Sequence, residues 1–481
     1  MVVMVLTERR QPVATTEDRQ SPSQGQVISK LSLTEQLARF LTSTRTSDLP
    51  AKTIEDARYF MLDWLGSAIA GAQTRPGSIV LAHAAEQIGQ HSSVVGLKER
   101  KGTQAAAFAN GAVSHITETD DVHRGAVLHP GVAVIPAALA TAERLGASGR
   151  DFLAAVALGY EVAIRVGESV GNSHYYYWHN TSTCGVFGAT AAAGWLLGLS
   201  EQQMAWALGN AGSLSAGLWQ FNEDGAMAKH MHAGHAASSG VLAAELAARD
   251  FTGTRFVLEG KRGLYAATSK DPRPELVTEG LRPGMERYKI AECVIKPYPS
   301  CRHTHAPVDV ALALRQSAGL PPDRIARVEI DTYQATVDLT DNPNPTHEYA
   351  AKFSVYYCVA TALARGRLTL GDFGPESLAD PTVRALMGRT EVRVDPEIQA
   401  RYPKEWCCGI TLTSDRGERF QQLTTSPKGD PENPLSLAEL REKFRSMVAG
   451  TPYGVRTGQL IQAVDTLDRA ANVRSLVGDR G

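Results

Sequence analysis

The chain has 481 residues, 43% hydrophobic and 21% charged, with a formal charge of −2. That length exceeds the size at which a single hydrophobic core stops growing, so two domains are expected, and the near-neutral charge gives no basis for a nucleic acid or an anionic membrane as partner. Six scattered cysteines without a CxxC pair suit neither a zinc knuckle nor a disulfide framework and point to a reducing compartment, the cytoplasm.

Residues 1–29 are rich in Thr, Ser, Gln, Arg and Pro and read as a disordered extension. The opening run 1–6 is too short for a secretory leader, and no stretch of about eighteen apolar residues predicts a membrane span. From residue 30 the pattern is helical. Pro50 opens a helix with Ile54, Ala57, Met61 and Leu65 at three- and four-residue spacing. Helices are expected over 103–115, 131–145, 150–170, 183–198, 200–212 and 228–250, with Gly and Ser at their edges. The texture changes near residue 275. Residues 287–295, 325–332 and 390–394 alternate like half-buried strands, and 410–413 and 418–423 flank a hairpin turn. Helices at 304–317 and 352–365 lie among them, and 436–478 is helical again. This predicts a mainly α protein: a helical domain over 30–274, a smaller α+β domain over 275–425, and C-terminal helices from 426–481 returning to the first.

The richest stretch for chemistry is 114–131, where Glu118, Asp120, Asp121, His123, Arg124 and His129 fall within twelve positions of an Ala/Gly/Leu-rich region. Burying that many titratable groups is costly unless they are paired, which favours an acid–base site. His179 precedes an Ala/Gly helix and can serve a substrate or a buried carbonyl. Lys229, His232 and His235 share a helix, with Lys229 and His232 three apart on one face. A zinc hydrolase built on His230, His232 and His235 is the alternative from another class, without a strand or later carboxylate to support it. Lys296, Arg302 and His303 surround a stiff turn, Pro297 to Pro299, before a helix, a place where anions bind. GxGxxG, GxxxxGK[ST] and GxSxG are absent, so nicotinamide, phosphoryl-transfer and serine-hydrolase chemistry lack their usual markers.

These motifs together resemble the MmgE/PrpD family, which contains 2-methylcitrate dehydratases, cis-aconitate decarboxylases and an iminodisuccinate epimerase. The resemblance runs over residues 30–475 and rests on 118–123 with His129-Pro-Gly, Trp178-His179, Lys229-x-x-His232-Ala-Gly, Lys296-Pro-Tyr-Pro and Thr304-His305. Further matches are Asp63-Trp-Leu-Gly66, 157–162 and 353–359. It implies a helical domain made from both chain ends, an inserted α+β lid, a site in the cleft between them, a homodimer, and no metal or organic cofactor. It also implies that Glu118, His129, His179, Lys229, Tyr357 and Lys296 fall on site positions. Two positions depart from the decarboxylase pattern: a threonine aligns with Val122 and a histidine with Cys301.

The expected function is therefore a cofactor-free lyase of the 2-methylcitrate dehydratase type, acting on a small di- or tricarboxylate. Decarboxylase and epimerase chemistry are the alternatives within the family. His129 and His179 are expected as the acid–base pair, Tyr357 as a donor, and Glu118 and Asp121 as groups that orient the histidines. Lys229, His232, Lys296, Arg302 and His303 are expected to bind substrate carboxylates.

Overall fold

The computed structural model describes residues 31–474 and 476–477, so the extension expected over 1–29 lies outside the described residues. Helix Ala51–Ala72 follows Pro50 and is buried at every position from Phe60 to Ala72, which makes it a central strut. Helices Thr103–Ser114, Gly131–Leu145 and Gly149–Ser169 pack on it, and Gly185–Leu196 and Ala228–Ala247 pack on those in turn. Helix Gly131–Leu145 ends at Gly146, whose φ of +68° closes the left-handed cap, and Ser148 then caps Gly149–Ser169 by accepting from Asp151 N. The Ala/Gly richness lets backbones approach closely. A Cβ added at Gly188 would lie 2.5 Å from the Gly159 carbonyl oxygen, so the crossing of these two helices admits no side chain there.

The C-terminal helix Leu437–Val448 opens with a Ser436–Glu439 capping box. It buries Leu440, Phe444 and Val448 in the same cluster as Leu65, Ile135 and Leu158, so both ends of the described chain build one helical body. Val277, Tyr288, Ile290 and Cys293 belong to that cluster as well, whereas the second cluster starts at Ala306. Packing therefore changes hands nearer residue 297 than 275.

The second cluster joins helices His305–Ala318 and Val355–Arg365 to a four-stranded sheet whose spatial order is Thr390–Val394, Ile325–Thr332, Cys408–Ser414, Arg419–Thr424. Its strands are β3 (Ile325–Thr332), β4 (Thr390–Val394), β5 (Cys408–Ser414) and β6 (Arg419–Thr424). β3 runs parallel to β4 and antiparallel to β5, and β5–β6 is the expected hairpin.

The strand expected over 287–295 forms only at its end. Lys289 N–H donates to the buried Glu161 carboxylate at 2.6 Å, and Lys289 pairs with Glu292 three residues on, which favours a 3₁₀ turn over Lys289–Glu292. What remains is β2 (Cys293–Val294), paired antiparallel with β1 (Val122–His123). This short pairing sets the run leading to Lys296 beside the acidic 114–131 segment. No helix among the described residues is long and apolar enough to cross a membrane.

Candidate active site

A cleft of about 390 Å³ lies where the acidic segment, the 175–179 and 219–229 segments and the lid residues meet. Glu118, His129, His179, Lys229 and Lys296 all line it, together with Arg302 and His303. Glu118 is its hub. The Lys229 ammonium donates to Glu118 Oε1, and Lys296 Nζ lies 3.5 Å from Oε2 and 3.9 Å from Asp120 Oδ1. Burial would raise the Glu118 pKa, but the Lys229 and Lys296 charges outweigh it and hold the carboxylate ionised well below its usual range. Reciprocally, burial alone would discharge Lys229, and Glu118 keeps it charged.

The backbone around Glu118 is itself strained. Glu118 sits at φ +60° and Val127 at +46°, and both line the cleft. Such conformations cost about 1–3 kcal/mol and persist where the surroundings enforce them. Here Lys352 from the lid donates to the Thr117 carbonyl at 3.3 Å. Lys443 from the C-terminal helix donates to the Thr119 carbonyl at 2.7 Å and to the buried Asp63. Two ammonium groups from distant parts of the chain thus clamp the turn on either side of Glu118.

Behind the hub, Asp120 is shared by two imidazoles. His115 Nδ1 bonds Asp120 Oδ2 at 2.7 Å, and His129 Nδ1 lies 2.9 Å from the same oxygen. Burial would raise the Asp120 pKa, but the two rings and Lys296 hold it far below normal. Burial pushes His115 down to about 3, so its neutral ring donates from Nδ1 and leaves a buried Nε2 without a hydrogen-bond partner. His115 stacks on His179 at 5.6 Å between ring centroids. Burial also drives His179 well below its ordinary range, reinforced by His115 and Lys229. The His179 backbone N–H donates to the Gly217 carbonyl at 3.0 Å, and the following turn grips the acidic segment through Thr181, whose hydroxyl accepts from His129 N at 3.1 Å.

Several expected site residues sit elsewhere. Tyr357 does not line the cleft: it donates to the Asp372 carbonyl in the lid core, 5.6 Å from the Phe373 ring. The tyrosines that line the cleft are Tyr175, Tyr176 and Tyr349. Burial pushes the Tyr349 hydroxyl up to about 12, and it feels both Lys229 and Glu118. Asp121 lies beneath the cleft and accepts from Gly131 N at 3.1 Å, at the head of helix Gly131–Leu145. Burial, then the charges of Asp120 and Asp63, raise its pKa well above normal, and its hydrogen bond makes it a structural cap. His232 stands behind His179, Nδ1 to Nδ1 at 3.3 Å, and supports that ring. Arg302 lines the cleft but its guanidinium is bound to Asp430 and the Lys428 carbonyl. His303 bonds Tyr333 at 2.9 Å, stacks on Trp406 at 4.4 Å, and is held neutral by burial and by Arg302. Neither Arg302 nor His303 offers free charge to a carboxylate.

The zinc arrangement also fails. His230, His232 and His235 do not gather their ligand atoms among the described residues, and His235 Nε2 is spent on the Leu214 carbonyl at 2.9 Å. His115, Asp120 and His129 do gather theirs within 4.8 Å, but Lys296 already supplies the cation beside Asp120. Nothing in the spacing marks Tyr349; His115, five residues before Asp120 in the same polar run, carried a usable signal.

Tyr349→Phe should lower kcat/KM by about 10- to 100-fold, while Tyr357→Phe should cost about 1 kcal/mol of stability and leave turnover within about twofold of wild type. Steady-state kinetics and thermal melts of the two variants check this.

Burial lowers the pKa of seven histidines: His115, His174, His179, His230, His232, His303 and His305. Unfolded imidazoles take protons near pH 6.5, whereas these rings resist until far lower, so the unfolded state binds more protons in between. Their contribution to stability is complete above about pH 6.5 and is lost on acidification. Glu143, raised by burial to about 7, works the other way, as do Asp121, Asp56, Asp63, Glu161 and Asp309, which burial also raises; these carboxyls offset part of the effect of the seven imidazoles. Melting temperature should fall steadily from pH 7 to pH 5; a Tm that is flat or rising over that range contradicts the assignment.

Residues 35–277 match the MmgE/PrpD N-terminal domain and residues 298–468 the MmgE/PrpD C-terminal domain. The chain is 27% identical over 476 residues to a cis-aconitate decarboxylase-like protein of Aspergillus oryzae, covering 92% of this chain and 96% of that one. It is 30% identical over 453 residues to the cis-aconitate decarboxylase of Homo sapiens, with 91% and 92% covered. Similarity to the 2-methylcitrate dehydratase of Salmonella typhimurium is 30% over 183 residues, covering 36% and 38%.

Proposed function

Because the chain belongs to the MmgE/PrpD family, we propose that it is a lyase moving protons on a small acid with two or more carboxylates, and that the bond it breaks is a carbon–carboxylate bond. One observation carries the substrate class: two buried ammonium groups, Lys229 and Lys296, converge on a single carboxylate, that of Glu118, in a cleft that also holds His129 and His179. A substrate carboxylate entering there meets the same two charges, already desolvated and aimed.

In the decarboxylation, the bond to the departing carboxylate breaks and CO2 leaves. The electron pair passes into the carbon skeleton, where a remaining carboxylate held by Lys229 and Lys296 spreads the charge. His129, backed by Asp120, delivers the proton that restores the carbon. His179, kept neutral, adds a polar wall without a competing cation. Carbon–carboxylate cleavage is favoured over carbon–oxygen cleavage because relatives similar over nearly their whole length are named a cis-aconitate decarboxylase-like protein and a cis-aconitate decarboxylase. Dehydration of a 2-methylcitrate-type acid is the second reading, supported by the shorter match to a dehydratase and by Tyr349 as a donor to a departing hydroxyl.

Incubation with cis-aconitate, citrate, 2-methylcitrate and iminodisuccinate, followed by NMR and CO2 capture, tests both. Equimolar CO2 and a product one carboxylate shorter is the expected result. Loss of water without CO2 replaces it with the second reading, and no turnover of any acid, alkyl-substituted homologues included, by folded protein rejects the proposal.

A further inference from the structure

The cleft is chemically divided. Its deep end holds Lys229, Lys296 and Glu118, all nearly inaccessible to solvent. Its outer part offers no free cation: Arg302 is tied to Asp430, and the charged side chains at the mouth, Glu223 and Asp338, are acidic and exposed. A carboxylate in that outer part would find repulsion rather than a partner.

What the outer part offers instead is apolar surface. Trp219 and Phe221 face each other at 5.0 Å and pack edge-on to His179, continuing the wall away from the deep end. Opposite them, Phe353 and Trp406 line the lid side, and Leu339 is 46% exposed at the rim. The rest of the lining is neutral as well: Val122, Val127, Cys301, Asn222 and the tyrosines. Phe221 and Trp406 are themselves buried, while Trp219 and Phe353 are half-buried and Leu339 is exposed; apolar groups left open to a concave site mark a place where apolar ligand surface is buried.

We infer that the substrate is a polycarboxylate bearing an apolar alkyl substituent of several carbons, its carboxylates held at Lys229 and Lys296 and its chain lying between the Trp219–Phe221 wall and Phe353, Trp406 and Leu339. This rests on the carboxylate-lyase reading and sharpens it: an unsubstituted acid would fill the deep end and leave the aromatic part to water. Each methylene buried there should improve recognition by about fourfold until the chain reaches the rim.

The test compares cis-aconitate with homologues carrying n-butyl or n-hexyl on the methylene carbon, and 2-methylcitrate with 2-butyl- and 2-hexylcitrate. Binding is read by calorimetry and turnover by NMR. A kcat/KM or affinity that rises by at least tenfold from the parent acid to the butyl homologue, and a preference that collapses in Leu339→Glu, is the expected result. Parent acids bound and used as well as their alkyl homologues overturn the inference. Alkyl-dependent binding without any turnover upholds it and overturns the lyase reading instead, and failure of every acid to bind overturns both.

Discussion

Replacing Lys229 with methionine should lower kcat/KM by about a thousandfold and weaken the folded state by about 3–5 kcal/mol. The two losses have separate causes. The kinetic loss comes from removing one of the two ammonium groups that hold the substrate carboxylate as charge builds on the carbon skeleton. The stability loss comes from Glu118, 2% exposed and at a left-handed backbone position, being left ionised with only Lys296 at 3.5 Å. A second change, Glu118→Gln in the Lys229→Met background, should restore much of the melting temperature, because it removes the orphaned charge, while activity stays lost. Recovery of activity along with stability would mean that Lys229 only balances Glu118 and never meets substrate.

The other large effect is expected at Asp120. Asp120→Asn should reduce kcat by about 100- to 10,000-fold with little change in KM. Its carboxylate touches no residue of the cleft wall other than His129 and Lys296, yet it fixes which nitrogen of His115 carries the proton and lies 2.9 Å behind His129. If Asp120 and His129 act as one proton-delivering unit, then His129→Gln and the Asp120→Asn/His129→Gln double variant should each lose about as much as Asp120→Asn alone. Multiplying losses in the double variant would show that the two residues act independently.

Much of this arrangement was legible in the residues. The helical body, the β5–β6 hairpin and the returning C-terminal helix follow from hydrophobic period, Ser caps and the turn before β6, because in each case local preference and tertiary packing agree. The strand over 287–295 was not legible, because a distant carboxylate, Glu161, captures the Lys289 amide that a ladder would need. In the site, Glu118, His129, His179, Lys229 and Lys296 converge as their clustering in polar runs suggested. Tyr357 could not be told from Tyr349 by pattern, since the choice depends on which face of helix Val355–Arg365 packs on the lid core. Asp121 was expected to orient the histidines, but that place is taken by its neighbour Asp120, since adjacent residues point in different directions. One side chain meets the imidazoles and the other reaches the head of a helix. Lys352 and Lys443 lie hundreds of residues from Glu118, and no spacing rule links them to the turn they clamp.

The central claim is that Lys229 and Lys296 form a carboxylate cradle served by the Asp120–His129 pair, and a crystal structure of the protein with tricarballylate, a saturated and unreactive tricarboxylate, tests it most directly. The expected result is one ligand carboxylate within hydrogen-bond reach of both lysine Nζ atoms and a ligand carbon facing His129 Nε2. Ligand bound outside the cleft, with Glu118 still holding both lysines, would contradict it.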